Sequence, residues 1–176
     1  MPDGPYVPPE VRHLILDRDG VLNREAAIGW VTELYQWEWE VGLPDALDAL
    51  ARSGIRVSVV TNQSCVGRGL ASAKSVDELH DWLTVQMHSR GITMVGIFCC
   101  PHGPDNGCRC RKPLPGLLHD AIAASGVPPS ETMMVGDDLS DQQAARSAGI
   151  ESALVLTGKG RRISGQIDES ARVSRI

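Results

Sequence analysis

The chain has 176 residues, enough for one domain with its own core. A net charge of −5 and a charged fraction of 22% give no electrostatic footprint for nucleic acid or for an anionic membrane surface. No apolar stretch approaches the ~20 residues of a membrane span. Residues 1–10 are Pro-rich without an apolar signal core and read as a flexible leader on a cytoplasmic protein.

The first element is the apolar run Val11–Leu16, with a strand over His13–Leu16. It ends in Asp17-Arg18-Asp19-Gly20. Two carboxylates one residue apart at a strand end suit a nucleophile, Asp17, and an acid/base, Asp19. A carboxylate can attack phosphorus and split one hard step into two. The second can protonate the leaving alkoxide and then activate water. The bland alternative is a capped turn carrying solvated acids. The segment Gly29–Val41 then holds Trp30, Trp37 and Trp39, which suit either core packing or a lid.

Leu43–Ser53 places Leu43, Leu47 and Leu50 on one helical face and stops at Gly54. Val57–Val60 is the second strand, followed by Thr61-Asn62-Gln63. A hydroxyl, an amide and free backbone N–H groups there can cradle a phosphoryl oxygen. Ser75–Arg90 is the next helix, with Val76, Leu79, Leu83 and Met87 at helical spacing, ending at Gly91.

The third strand, Val95–Cys99, leads into Cys100-Pro101-His102 and, after a five-residue loop, Cys108-Arg109-Cys110. In a cytoplasmic chain such a cluster reads first as a metal site. Cys100, His102, Cys108 and Cys110 can surround Zn²⁺ tetrahedrally in this loop, 100–110, and four protein ligands would make it structural. A free-thiol cluster and a disulfide are the alternatives. Arg111-Lys112-Pro113 follows at once and offers cations for the charge that converges in phosphoryl transfer.

Leu117–Ser125 is a helix closed by Gly126. Met133–Val135 is a strand ending in Gly136-Asp137-Asp138, with Asp141 beyond. Compact carboxylates suit Mg²⁺, which takes one or two of them and keeps waters. Acids at a helix N-terminus are also favoured without a metal. Asp141–Ala148 is a helix closed by Gly149, and Ala153–Leu156 is the last expected strand. Residues 161–176 form a polar C-terminal tail with no decisive pattern.

Strands alternating with helices predict an α/β domain over residues 11–160. It has a Rossmann-like parallel sheet with helices on both faces. Ligands then bind outside the carboxyl ends of the strands, where every polar motif falls. The short segments between Gly20 and Leu43 and between Gln63 and Ser75 leave no room for a large cap domain.

In this order, Asp-x-Asp-Gly, Thr-Asn-Gln, Arg-Lys-Pro and Gly-Asp-Asp resemble the haloacid dehalogenase (HAD) superfamily of phosphohydrolases, over roughly residues 12–160. The chain is most similar to the branch that holds heptose bisphosphate phosphatases and histidinol-phosphate phosphatases. The resemblance implies a capless, monomeric phosphatase acting on a small phosphorylated sugar. Asp17 is then the nucleophile and Asp19 the acid/base. Thr61 and Lys112 bind the phosphoryl group, and Mg²⁺ sits on Asp17, the Asp19 carbonyl and Asp137. The branch also carries a Cys-x-His…Cys-x-Cys zinc loop that matches the four positions here. The expected reaction is removal of the C7 phosphate from a heptose 1,7-bisphosphate, in nucleotide-activated heptose biosynthesis, with Arg68 and Arg111 as anchors for the second phosphate or sugar oxygens. Histidinol phosphate is the rival substrate, and an inactive zinc-stabilised phosphate-binding module is the rival from another class. Val21 stands where the family often has threonine, Cys65 where it has glycine, and Asp138 where heptose enzymes can have lysine.

Overall fold

The computed structural model describes Pro8 and residues 10–27, 29–166 and 172–174. Most of the expected N-terminal leader lies outside these residues.

Six parallel strands are ordered β3-β2-β1-β4-β5-β6. They are β1 (His13–Leu16), β2 (Arg56–Asn62), β3 (Thr93–Cys100), β4 (Thr132–Gly136), β5 (Glu151–Val155) and β6 (Arg172–Ser174). Strand order reverses between β1 and β4, which pair in register from His13–Thr132 to Leu16–Val135. A ligand crevice belongs at such a reversal, beyond the carboxyl ends of the two strands. Asp17 and Asp137 are the first residues past those ends.

Four longer helices cover the sheet: α1 (Leu43–Ser53), α3 (Ala73–Ser89), α4 (Gly116–Ser125) and α5 (Leu139–Ala148). Short helices α2 (Ser64–Gly67) and α6 (Gly160–Ile163) complete the set. Strand side chains alternate between faces. Leu14 and Leu16 therefore join Leu47, Leu83 and Met87 in one core. Ile15, between them, joins Leu118, Ala121 and Ala144 in the other. Such double coverage is why the central strands are mostly apolar on both faces.

The helix boundaries follow local chemistry. Ser72 caps α3 by accepting from the Ser75 N–H at 3.0 Å. Asp138 caps α5 by accepting from Ser140 N–H, and Asp141 reaches back to the Asp138 N–H. One polar residue lies inside β1: His13, fully buried, reaches Ser58 Oγ at 2.8 Å. Burial, then the Arg56 charge, lower its pKa to about 4, so it is neutral at physiological pH.

The connections are loops rather than a cap domain. In the segment after β1, Trp37 packs edge-on against both Trp39 and Trp82 of α3, and Trp39 meets Trp82 at a tilt, against the first core. These two tryptophans are packing residues. Trp30 lines a cleft instead. The tail also contributes structure: Arg172–Ser174 pairs in parallel with β5. Among the described residues, no helix is long and apolar enough to cross a membrane.

Candidate active site

The carboxyl ends of β1, β2 and β4 open into a cleft of about 740 Å³. Asp17, Asp19, Thr61, Asn62, Arg68, Arg111 and Lys112 all line it. At its floor, Lys112 Nζ lies 2.9 Å from Asp17 Oδ1 and 2.6 Å from Asp141 Oδ1. The same ammonium donates to the Val60 carbonyl at 2.9 Å. Lys112 is buried, and an ammonium in that position survives only with such partners. Burial alone would lower its pKa, but Asp141 and Asp17 reverse that and hold it charged.

One carboxylate oxygen each from Asp17, Asp137 and Asp141 lies within 4.8 Å of the others. Burial is the main force on Asp17, and with Asp141 and Asp19 it outweighs Lys112, pushing the pKa up to about 7. Burial, then the Asp17 charge, push Asp137 up to about 8. Asp137 Oδ2 accepts from the Lys159 N–H at 2.8 Å, whereas its buried Oδ1 has no partner among the described residues. Repelling carboxylates and an orphaned buried oxygen fit a divalent cation. Asp141 is already engaged, by Lys112 and by the Asp138 N–H, so Asp17 and Asp137 are the carboxylates left for an ion.

Gly20 is what lets these groups meet. Its φ is +83°, and a Cβ there would overlap the Asp137 carboxylate.

Asp19 has different surroundings. Oδ1 accepts from Arg18 Nη2 and Asn23 Nδ2, each at 2.9 Å, and Oδ2 accepts from Gln63 Nε2 at 2.7 Å. Burial raises its pKa, but the Arg18 charge and these hydrogen bonds win, and the carboxyl sits below its usual range. Arg18 is itself fully buried, tied to the Val31 carbonyl and to His80. With its side chain so occupied, Asp19 has only its main-chain carbonyl to offer a metal.

Three sequence assignments change in detail. Gln63 is fully buried and spends its amide on Asp19 and Thr61, so it orients those groups and does not cradle phosphate. Asn62 clamps the Lys112 main chain from both sides, accepting from its N–H at 3.1 Å and donating to its carbonyl at 3.0 Å. Asp138 turns to the helix cap and to Lys159 Nζ, 3.0 Å away, rather than to the metal edge. Burial raises its pKa, but the Ser140 N–H and Lys159 bring it below the usual range. Sequence reasoning gave no role to Arg18, Asn23 or Lys159, and named Asp141 only as a further acid beside the expected metal loop. The Asp138-x-x-Asp141 spacing, a capping-box pattern, was the one available signal.

The cysteine loop closes on itself. Cys100 Sγ lies 3.2 Å from Cys110 Sγ and 3.7 Å from Cys108 Sγ. His102 Nδ1 lies 3.2 Å from Cys110 Sγ. None of these cysteines is disulfide-bonded in this structure. A Zn–S bond of about 2.3 Å places tetrahedral sulfurs about 3.8 Å apart, close to the spacing here. Cys99 stays outside the cluster, and burial pushes its thiol up to about 12. The loop is tied to the phosphate side of the site through Gln63 N–H to the Cys100 carbonyl and Gly67 N–H to the Pro101 carbonyl, both 2.8 Å.

Arg68 and Arg111 stand on the cleft wall. The Arg68 guanidinium lies over the Trp30 ring, 5.7 Å from its centre. Arg111 Nη1 donates to the His102 carbonyl at 3.4 Å.

Comparison with known proteins agrees with this geometry. The HAD-hydrolase-like family model matches residues 109–173. A D-glycero-β-D-manno-heptose-1,7-bisphosphate 7-phosphatase of Neisseria meningitidis is 39% identical over 153 residues, covering 87% of this chain and 81% of that protein. The enzyme of the same name from Bordetella bronchiseptica is 40% identical over 165 residues, covering 91% and 90%. A crystal structure of the B. bronchiseptica D,D-heptose 1,7-bisphosphate phosphatase, complexed with magnesium and phosphate, superposes with a TM-score of 0.84 at 38% identity, over 93% of this chain and 92% of that one. Carboxylates side by side just past the ends of β1 and β4, and relatives of this kind, lead to one conclusion: the chain belongs to the HAD family of phosphatases, alongside the heptose bisphosphate phosphatases.

Proposed function

We propose that this enzyme removes the C7 phosphate of D-glycero-β-D-manno-heptose 1,7-bisphosphate through a phosphorylated Asp17. The observation that carries the reading is Asp17 at the cleft floor, between the Lys112 ammonium and the Asp137 carboxylate, in a chain about as similar to several 7-phosphatases as 39–40% identity.

The chemistry follows from the residues. The Asp17 carboxylate attacks phosphorus, the bond from phosphorus to the sugar oxygen breaks, and Asp19, which must first take up a proton against the pull of Arg18, gives that proton to the leaving oxygen. Asp19, now a carboxylate held by Arg18, Asn23 and Gln63, takes a proton from water. That water attacks the acyl phosphate, releases orthophosphate and restores Asp17. Lys112 offsets the charge on the phosphoryl oxygens, and Thr61 supplies a hydroxyl beside them. Mg²⁺ held by Asp17, Asp137 and the Asp19 carbonyl supplies further positive charge to the same oxygens when bound.

The cleft is cationic where a second phosphate needs anchors, with Arg68, Arg111 and Arg162 on its wall. Histidinol phosphate would bring an amine and an imidazole. Glu25 on the cleft wall is already paired with Lys159 at 3.4 Å, and Glu33 does not line the cleft. The test compares kcat/KM for the two substrates in wild type and Arg68→Ala. The bisphosphate is expected to be preferred, and Arg68→Ala to weaken it about 10- to 100-fold more than histidinol phosphate, the worth of one lost charge-assisted pair. A preference for histidinol phosphate, or equal losses on both, contradicts the assignment.

Zn²⁺ on Cys100, His102, Cys108 and Cys110 is the second metal in this reading. Bound zinc contributes folding free energy and fixes the loop that delivers Arg111 and Lys112. Metal analysis of protein purified without chelator is expected to give one zinc per chain. Cys108→Ser should lose it and raise KM more than it lowers kcat. Zinc-free, fully active wild-type protein contradicts the site.

A further inference from the structure

One side chain of the cleft wall takes no part in the phosphoryl chemistry: Lys159, on the turn Thr157–Gly160 after β5. The turn is firmly docked. Thr157 Oγ1 donates to the Gly20 carbonyl at 2.6 Å, Lys159 N–H donates to Asp137 Oδ2 at 2.8 Å, and Gly160 N–H closes the turn on the Thr157 carbonyl at 2.8 Å. From this fixed base the Lys159 side chain reaches between Asp138 Oδ2, 3.0 Å away, and Glu25 Oε1, 3.4 Å away. All three groups line the cleft. Their side chains are 42%, 31% and 32% exposed, so each keeps a face toward solvent.

The charge of this triad decides what it can bind. Two carboxylates and one ammonium sum to −1, which disfavours a phosphate dianion. The ammonium has three donors and two ion-pair partners, so one donor is free. The carboxylates keep unused acceptor positions. A row of acceptor, donor, acceptor suits sugar hydroxyls, each of which both donates and accepts. The positive charge for an anionic end lies elsewhere on the wall, on Arg68, Arg111 and Arg162.

We infer that Glu25, Lys159 and Asp138 form a hydroxyl-reading subsite for the polyol part of the substrate, with Lys159 as the specificity-determining residue. The inference rests on the sugar-phosphate reading of the cleft. Its test uses the holoenzyme with Mg²⁺ and two probes: the heptose 1,7-bisphosphate, and p-nitrophenyl phosphate, which has no hydroxyl. In Lys159→Met the ratio of kcat/KM for the two is expected to fall about 10- to 100-fold, through a higher KM for the sugar, because a charged donor to a hydroxyl is lost. Glu25→Gln should lower the ratio in the same direction, and Lys159→Arg should hold it within about threefold of wild type. Parallel losses on both probes, as a purely structural role beside Asp137 would give, overturn the subsite, and so does an unchanged ratio. Failure of the heptose assignment reads out separately. The wild type would then not prefer the heptose bisphosphate to hexose 6-phosphates, and the Lys159→Met ratio would be taken with a hexose 6-phosphate as the polyol probe.

Discussion

Asp17→Asn is expected to cut turnover by about 10⁴-fold or more while leaving the fold intact, since loss of a nucleophile removes the reaction path itself. The asparagine oxygen can still accept from the Arg18 N–H and from Lys112, as Asp17 Oδ1 does now at 2.7 and 2.9 Å. It also removes one member of a buried acid group in which burial first, then charge from neighbouring acids, raises both Asp17 and Asp137. In metal-free buffer, the variant should therefore melt no lower than wild type, and the stabilisation by Mg²⁺ should shrink. Phosphate release and thermal melts check both parts. A folded Asp17→Asn protein with near-normal turnover would rule out the covalent route.

Lys112→Met should be damaging in two ways. It leaves Asp17 and Asp141 buried without their cation, and breaking a buried pair costs about 3–5 kcal/mol. It also removes the ammonium from the phosphoryl oxygens, which should lower kcat by about 10²- to 10³-fold. The two effects separate in Lys112→Met/Asp141→Asn. That double variant should regain much of the melting temperature, because one stranded charge is gone, yet stay as inactive as the single variant. Recovery of activity together with stability would mean that Lys112 acts only as scaffold.

The core of this architecture was readable because its signals are local. Leu14, Ile15 and Leu16 announce a strand buried on both faces, and Gly54, Gly126 and Gly149 mark helix ends at positive φ. β6 had no such signal: three residues with one apolar side chain, Val173, gain strand geometry only from pairing with β5. In the site, Asp17, Lys112 and Asp137 were visible as motif residues. Asp141 stood out only as a further acid, and its pairing was not visible, because Lys112 lies 29 positions away and only the fold brings them together. Arg18 sits inside the leading motif, yet nothing in the sequence marks it as one of the rare fully buried arginines. Gln63 was placed at the right strand end but given the wrong partner. A buried amide must satisfy its own hydrogen bonds, and Asp19 and Thr61 were nearer than any ligand.

The most direct test of the account is to follow heptose 1,7-bisphosphate by ³¹P NMR as the Mg²⁺-loaded enzyme acts on it. The account predicts loss of the C7 phosphate signal, growth of one equivalent of orthophosphate and survival of the anomeric C1 phosphate. Release of the C1 phosphate, or no hydrolysis by protein that turns over histidinol phosphate, would contradict it.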